Sequence, residues 1–257
     1  MALKNPKPMI GVHLSNLEIT PYTGPGTRPL SAAEVSYLER NEVFWQLEGG
    51  YKAIQSTKPQ TLAYGLNDSP AGLAAWILEK WRSWADSRGN LDERFSRDFL
   101  LTTVTLYWVT QTIASSMRDY FDNDNRRFRV RIGPNEFVKV PTGIAVFARN
   151  FVDEGIPPRE WAERLYNVRR WTPMPSGGHF AAAEEPELLA RDIATFFAEA
   201  TGACSSCAVA IIRNPRMQSL THQQRCQKRF LTFHDRFLGL QNFCFKTAQF
   251  NARRRES

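Results

Sequence analysis

Apolar positions along the chain change period several times, and each change predicts an element. Met9-Ile10-Gly11-Val12-His13-Leu14 is a short apolar run that reads as a buried strand. Pro21-Tyr22-Thr23-Gly24-Pro25-Gly26 is loop chemistry. Ser31 followed by Glu34 forms a capping-box pattern and predicts a helix to about Glu48, stopped by Gly49-Gly50. Asp68-Ser69-Pro70 opens a second helix through Leu73, Ile77 and Lys80 to about Asp86. Its Trp76, Trp81 and Trp84 are bulky packing residues. A third helix, apolar on most sides, is expected over about Ser96 to Tyr120. Val138-Lys139-Val140, Pro141-Thr142-Gly143 and Ile144 to Phe147 then read as a kinked strand. Pro157-Pro158-Arg159-Glu160-Trp161 opens a short helix, and Val168 to Met174 predicts another strand. Ser176-Gly177-Gly178-His179 reads as a tight loop. Glu185-Pro186-Glu187 starts a final helix with Leu188, Leu189, Ile193, Phe196 and Phe197 on its apolar face. Strands alternating with helices argue for a parallel α/β sheet, with the helical block of residues 20–125 inserted between two strands.

Charge divides the chain. The 257 residues carry a formal net charge of +7. Residues 201–257 hold 10 Lys/Arg against 2 Asp/Glu, leaving 23 against 24 in residues 1–200. All seven Trp and all seven Tyr precede residue 200, and all four Cys follow it. The expected organisation is therefore a body over 1–200 and a basic, cysteine-containing, poorly ordered tail over 201–257. Four cysteines are too few for a disulfide framework. No apolar run is long enough for a transmembrane helix, and the N-terminus lacks a signal-peptide core, so a cytoplasmic protein is expected.

Within the body, His179 follows two glycines at the end of a predicted strand, where open α/β sheets place their sites. A histidine there is placed for general-base work, although a structural loop role fits the spacing as well. Tyr51 and Tyr120 edge the helical block. A phenol can donate to an oxygen gaining negative charge, or simply pack. Asp68 is the acidic residue in the most motif-like setting, but its place before Ser69-Pro70 suits helix capping.

Several segments carry a family resemblance. Gly50-Tyr51-Lys52-Ala53-Ile54-Gln55-Ser56-Thr57-Lys58-Pro59-Gln60-Thr61 resembles the lid segment of microsomal-type epoxide hydrolases of the α/β-hydrolase fold. Leu66 to Trp76, Leu106-Tyr107-Trp108 through Ser115-Ser116-Met117-Arg118, Val140 to Gly143, and Gly177 to Ala182 continue in the family's order, so that the match covers roughly residues 9–198. The resemblance implies an incomplete α/β-hydrolase fold: a helical lid plus the last strands and helices of the sheet, followed by an unrelated tail. It implies hydrolysis of an epoxide to a vicinal diol through an alkyl-enzyme ester, with no cofactor and no metal. Tyr51 and Tyr120 match the lid tyrosines that donate to the epoxide oxygen, and His179 matches the water-activating base.

Two departures qualify this. The family's nucleophilic Asp sits in a Gly-Gly-Asp-Trp-Gly type elbow, upstream of the strand matching Met9 to Leu14. No such motif occurs here, nor does the His-Gly-Trp-Pro type oxyanion loop. A truncated chain, inactive by itself, is the expectation. The family's acid matches Asn150, which can orient an imidazole but not balance its charge; Asp153 or Glu154 could substitute. The expected ligand is a small apolar epoxide, and a complementary chain or second copy would cover the exposed half-sheet. A non-catalytic binding protein that keeps the lid pocket is the alternative. In the tail, Cys204, Cys207, His222 and Cys226 have a superficially zinc-like spacing, with chance as the plainer reading. Arg225, Lys228, Arg229, Arg236 and Arg253-Arg254-Arg255 interleave with Phe230, Phe233 and Phe237, as in a nucleic-acid or membrane-surface helix, or in an unselected extension. Nucleic acid is not the expected partner.

Overall fold

The computed structural model describes residues 2–4, 6–124, 131–149 and 156–202. The chain divides into two units, Met1–Ala208 and Val209–Ser257, and everything described here belongs to the first. The tail residues Cys204, Cys207, His222 and Cys226 and its basic and aromatic positions lie outside the described residues.

β1 (Val12–Leu14), β2 (Val138–Arg149) and β3 (Tyr166–Gly178) form a parallel sheet in the order β1-β2-β3. His13 faces Gly143 in the β1–β2 register, and Ile144 faces Trp171 in the β2–β3 register. Register irregularities interrupt the β2–β3 pairing near Pro141 and after Phe147. The first fits the missing proline N–H, which cannot join a ladder. The helical block predicted between two adjacent strands is present: α1 (Ala32–Glu48), α2 (Gly50–Thr57), α3 (Pro59–Asp68), α4 (Pro70–Trp84), α5 (Arg97–Thr110) and α6 (Ile113–Asp124) all lie between β1 and β2. After β2 come α7 (Arg159–Glu163), β3, α8 (Ala181–Glu184) and α9 (Pro186–Thr201).

Four expectations need correction. Gly49-Gly50 ends α1 but does not release the chain into a loop, because Gly50 begins α2 directly. The helix expected over Ser96 to Tyr120 is two helices. Gln111 adopts a left-handed conformation (φ 52) at the end of α5, and its N–H caps the carbonyl of Trp108. Ser176 to Gly178 belong to β3, and the turn begins only at His179. Asp68 closes α3, and the cap of α4 is Ser69, whose hydroxyl accepts the N–H of Gly72 at 3.0 Å.

The core is split between the sheet and the helical block. Phe147, Ile144 and Ala145 of β2 are buried with Met174, Leu189 and Phe196. Gly143 is required where α9 crosses β2, since a Cβ there would lie 2.7 Å from the Phe196 ring. In the helical block, Ala63, Leu66, Leu73, Val104, Ile113 and Met117 form a separate cluster. Among the described residues, no helix is long and apolar enough to cross a membrane.

Two buried carboxylates tie these layers together. Glu34, the capping-box residue of α1, is fully buried. It accepts Arg164 Nε at 2.6 Å, both Arg28 amino groups at 2.9 Å, and the Ser31 N–H at 2.9 Å. The hydrogen bond from Arg164 leads, and with those from Arg28 and Ser31 it outweighs burial, bringing the Glu34 carboxyl from 4.5 down to about 2. Asp192 of α9 accepts His13 Nε2 at 2.8 Å, Arg170 Nε at 2.7 Å and the Thr172 hydroxyl at 2.7 Å. Burial pushes its carboxyl up, but those donors prevail and hold it below the usual carboxylate range.

The Glu34 network yields a test. Replacing Glu34 by Gln leaves two guanidinium groups, one of them on the almost fully buried Arg164 side chain, without their bonded carboxylate, at an expected cost of about 3–5 kcal/mol at neutral pH. The contribution is present above about pH 4.5 and is lost as pH falls through the folded-state value near 2. Denaturant unfolding of Glu34→Gln should therefore show a large deficit at pH 7 that narrows in acid. A deficit independent of pH would mean that the carboxylate charge contributes nothing.

Candidate active site

The three sequence candidates and the tryptophan between them come from separate parts of the chain. Tyr51 lies in the first turn of α2, Tyr120 near the end of α6, Trp84 at the end of α4, and His179 directly after β3. α6 packs against both α2 and α3, and this brings Tyr120 to Tyr51. Their rings meet edge to face with centroids 5.9 Å apart. Tyr51 meets Trp84 at 5.1 Å, and Trp84 meets His179 at 5.1 Å, both edge to face. The tyrosines and the histidine are thus joined through one tryptophan. Lys80 Nζ lies 4.9 Å from the Tyr51 ring centroid and 5.3 Å from that of Trp84, and pairs with Glu79 at 2.8 Å.

Local chemistry fixes His179. Its backbone N–H donates to the carbonyl of Trp84 at 2.9 Å, tying the turn after β3 to the last turn of α4. Gly178 makes this approach possible, because a Cβ there would fall 2.6 Å from that same carbonyl oxygen. Asp86 N–H donates to Glu184 at 2.7 Å, and the N–H of Gly177 donates to Asp86 at 3.1 Å. Glu184 also accepts the N–H of Phe180 at 2.9 Å, and Phe180 stacks on Trp81 at 3.9 Å. Burial raises the Glu184 carboxyl above its usual value despite these donors and nearby Arg94. Arg94 reaches Glu185 at 2.7 Å, which closes the far side of the turn.

Burial governs the imidazole, lowering the His179 pKa from 6.5 to about 4. At neutral pH the ring is uncharged and able to accept a proton. Burial likewise raises the Tyr120 hydroxyl, with Glu18 acting in the same sense and Gln55 opposing it. The Tyr120 phenol therefore stands as a neutral donor where the two rings meet.

Asn150, Asp153 and Glu154, the candidates for orienting His179, lie outside the described residues. Arg149, the last residue of β2, lies 3.9 Å from Asp86. A cleft of about 330 Å³ beside Trp84 is lined by Phe44, Glu48, Asp86 and Arg149, and the two tyrosines and His179 are not among its lining residues. Sequence reading missed Gln55, Asp86, Glu184 and Lys80. Gln55 alone had a signal, lying one helical turn after Tyr51 and so on the same face. Among the described residues no cluster of His, Cys, Asp or Glu is arranged to hold a metal ion.

Comparison with known proteins bears out the resemblance. The chain is 43% identical over 172 residues to epoxide hydrolase 1 of Oryctolagus cuniculus, an alignment covering 63% of this chain and 37% of the relative. The crystal structure of juvenile hormone epoxide hydrolase from the silkworm Bombyx mori matches with a TM-score of 0.64 and 29% identity, over 78% of this chain and 51% of that one. The structure of Aspergillus niger epoxide hydrolase matches with a TM-score of 0.61 and 27% identity, over 77% of this chain and 48% of that one. No protein-family model matches. The body is thus homologous to epoxide hydrolases and has part of an α/β-hydrolase fold. The chain spans less than half the length of the curated relatives it matches.

The state of His179 can be measured directly. Its imidazole C–H resonance should titrate near pH 4, well below that of an exposed histidine. Because the folded-state value lies below the unfolded one, stability should be lost as pH falls from about 6.5 toward 4, while the unfolded chain alone takes up the proton. A midpoint at 6.5 would show the ring to be solvated.

Proposed function

We propose that this chain supplies the lid and the water-activating side of an epoxide hydrolase. The observation that carries this reading is the meeting of Tyr51 and Tyr120 from distant helices, joined through Trp84 to His179. In the proposed reaction a carboxylate attacks one epoxide carbon. The C–O bond breaks, and the oxygen, held by Tyr51 and Tyr120, takes up a proton to become one hydroxyl. His179 then removes a proton from water, whose oxygen attacks the resulting ester. The acyl C–O bond breaks, the alkoxide leaves and takes the proton held by His179 to become the second hydroxyl, and loss of the remaining proton restores the carboxylate and the tyrosine hydroxyl.

The carboxylate nucleophile is not assigned to any residue of the 257. We assign the lid to residues 20–125 within a hydrolase portion over 1–200. The acid that orients His179 is placed in the 150–154 segment, with Asp153 or Glu154 as its carboxylate. β1 has a ladder partner on one side only among the described residues, so a further strand beside it, from other polypeptide, suits this assignment. A small apolar epoxide is the proposed ligand. Binding without turnover is the second reading, favoured by the unassigned nucleophile.

The test is equilibrium binding and diol formation with styrene oxide. The chain alone is expected to bind it without forming diol. Tyr51→Phe and Tyr120→Phe should each weaken binding about two- to tenfold, the loss of one hydrogen bond of about 0.5–1.5 kcal/mol. Turnover abolished by His179→Ala would support the three assigned residues and place a nucleophile within this chain. Absence of binding, or binding indifferent to both tyrosines, would overturn the reading.

A further inference from the structure

A lysine ordinarily carries its ammonium out to water along a flexible stem. Lys80 does not. It lies on the face of α4 that turns Leu73, Ile77 and Trp84 inward, and its side chain is only 19% exposed. A cation withdrawn from water in this way needs compensation. Two kinds of group supply it. Glu79 pairs with the ammonium at 2.8 Å, and Glu48, the last residue of α1, at 3.5 Å. Two rings lie beneath it as well. Nζ is 4.9 Å from the Tyr51 centroid and 5.3 Å from that of Trp84. Both distances fall within the roughly 6 Å over which the negative face of a ring attracts a cation. The Glu79 and Glu48 side chains are half and about a third exposed, so water screens their charge, whereas the cation lies directly over the rings.

We propose that Lys80 is a positioning residue acting through Tyr51: its ammonium, fixed over the ring, strengthens the Tyr51 hydroxyl as a donor and so sets the preference of the site for apolar ligands that carry an acceptor oxygen. The inference rests on the reading of Tyr51 as a ligand donor given above. When the hydroxyl donates, electron density gathers on the phenol and spreads into its ring. A fixed cation over that ring favours the shift, and favours it more the harder the acceptor pulls. A ligand without an acceptor oxygen gains nothing from it. The same ammonium also holds the ring in place. Lys80 precedes Trp84 by one turn of α4, and Tyr51, from α2, meets Trp84 edge to face at 5.1 Å. One cation thus bridges the helix whose Trp84 carbonyl anchors His179 to the helix that carries the phenol.

The experiment uses the whole chain with two probes of similar shape, styrene oxide and phenylcyclopropane, the second lacking the acceptor oxygen. Lys80→Met keeps most of the stem and removes the charge. It should weaken styrene oxide binding about two- to fivefold, the scale of one cation–π contact, and leave phenylcyclopropane unchanged. Lys80→Arg, which keeps a cation able to lie over the ring, should restore the preference. In a Tyr51→Phe background, Lys80→Met should no longer alter the preference, because the hydroxyl through which it acts is gone. Should the variants fail to fold, the unsubstituted chain still decides: the Lys80 ε-methylene resonances should shift when styrene oxide binds and stay in place with phenylcyclopropane. Equal weakening of both probes, the same loss of preference in the Tyr51→Phe background, or Lys80 resonances that respond alike to both probes would each overturn the proposal. A preference that Tyr51→Phe removes and Lys80→Met spares would overturn the proposal alone. A chain that does not distinguish the probes and is indifferent to Tyr51→Phe would overturn the ligand reading, and the proposal with it.

Discussion

The arrangement of the candidate site depends on one backbone hydrogen bond, from His179 N–H to the carbonyl of Trp84. It joins the end of β3 to the end of α4, and so joins the sheet to the inserted helices. The bond needs a glycine before it, because any side chain at Gly178 would collide with the acceptor. It also needs Glu184, whose carboxylate gathers the N–H groups of Asp86 and Phe180 and holds both sides of the junction at once. With this junction in place, the Trp84 ring lies against both the imidazole and Tyr51. The geometry follows from packing the chain's own groups, before any ligand enters.

The rest of the body is held by charge placed inside. Glu34 ties the first helix to Arg28 and to Arg164 beyond α7, and Asp192 ties α9 to β1 and β3 through His13, Arg170 and Thr172. Such groups pay for their desolvation only when every donor is present, so each network specifies one arrangement of distant segments. In this way the two networks act as register marks for a sheet with only two ladders among the described residues. The candidate site has a different balance. There, burial keeps His179 and Tyr120 uncharged at neutral pH.

Homology and geometry speak to different parts of the functional reading. Homology with epoxide hydrolases accounts for the part of the α/β-hydrolase fold that the body shares with them. The convergence of Tyr51, Tyr120, Trp84 and His179 gives that kinship a chemical content that sequence similarity alone does not.

Much of this was legible in the chain. Ser31 with Glu34, Ser69 with Pro70, and the apolar runs in β1 and β2 are local signals, since a cap or a strand is decided by neighbours a few residues away. Tyr51, Tyr120 and His179 were singled out through family likeness rather than spacing. The break at Gln111, the helices α2 and α3, and the extension of β3 through Gly178 were not, because packing against other elements overrides weak local preference. Least legible were Glu184 and Asp192, which read in sequence as ordinary polar surface positions. Their partners lie 98 and 179 residues away, at Asp86 and His13. Sequence determined which segments could become helices and strands. Tertiary structure alone decided which polar groups are buried, because a polar group can be buried only when folding brings its partner to it.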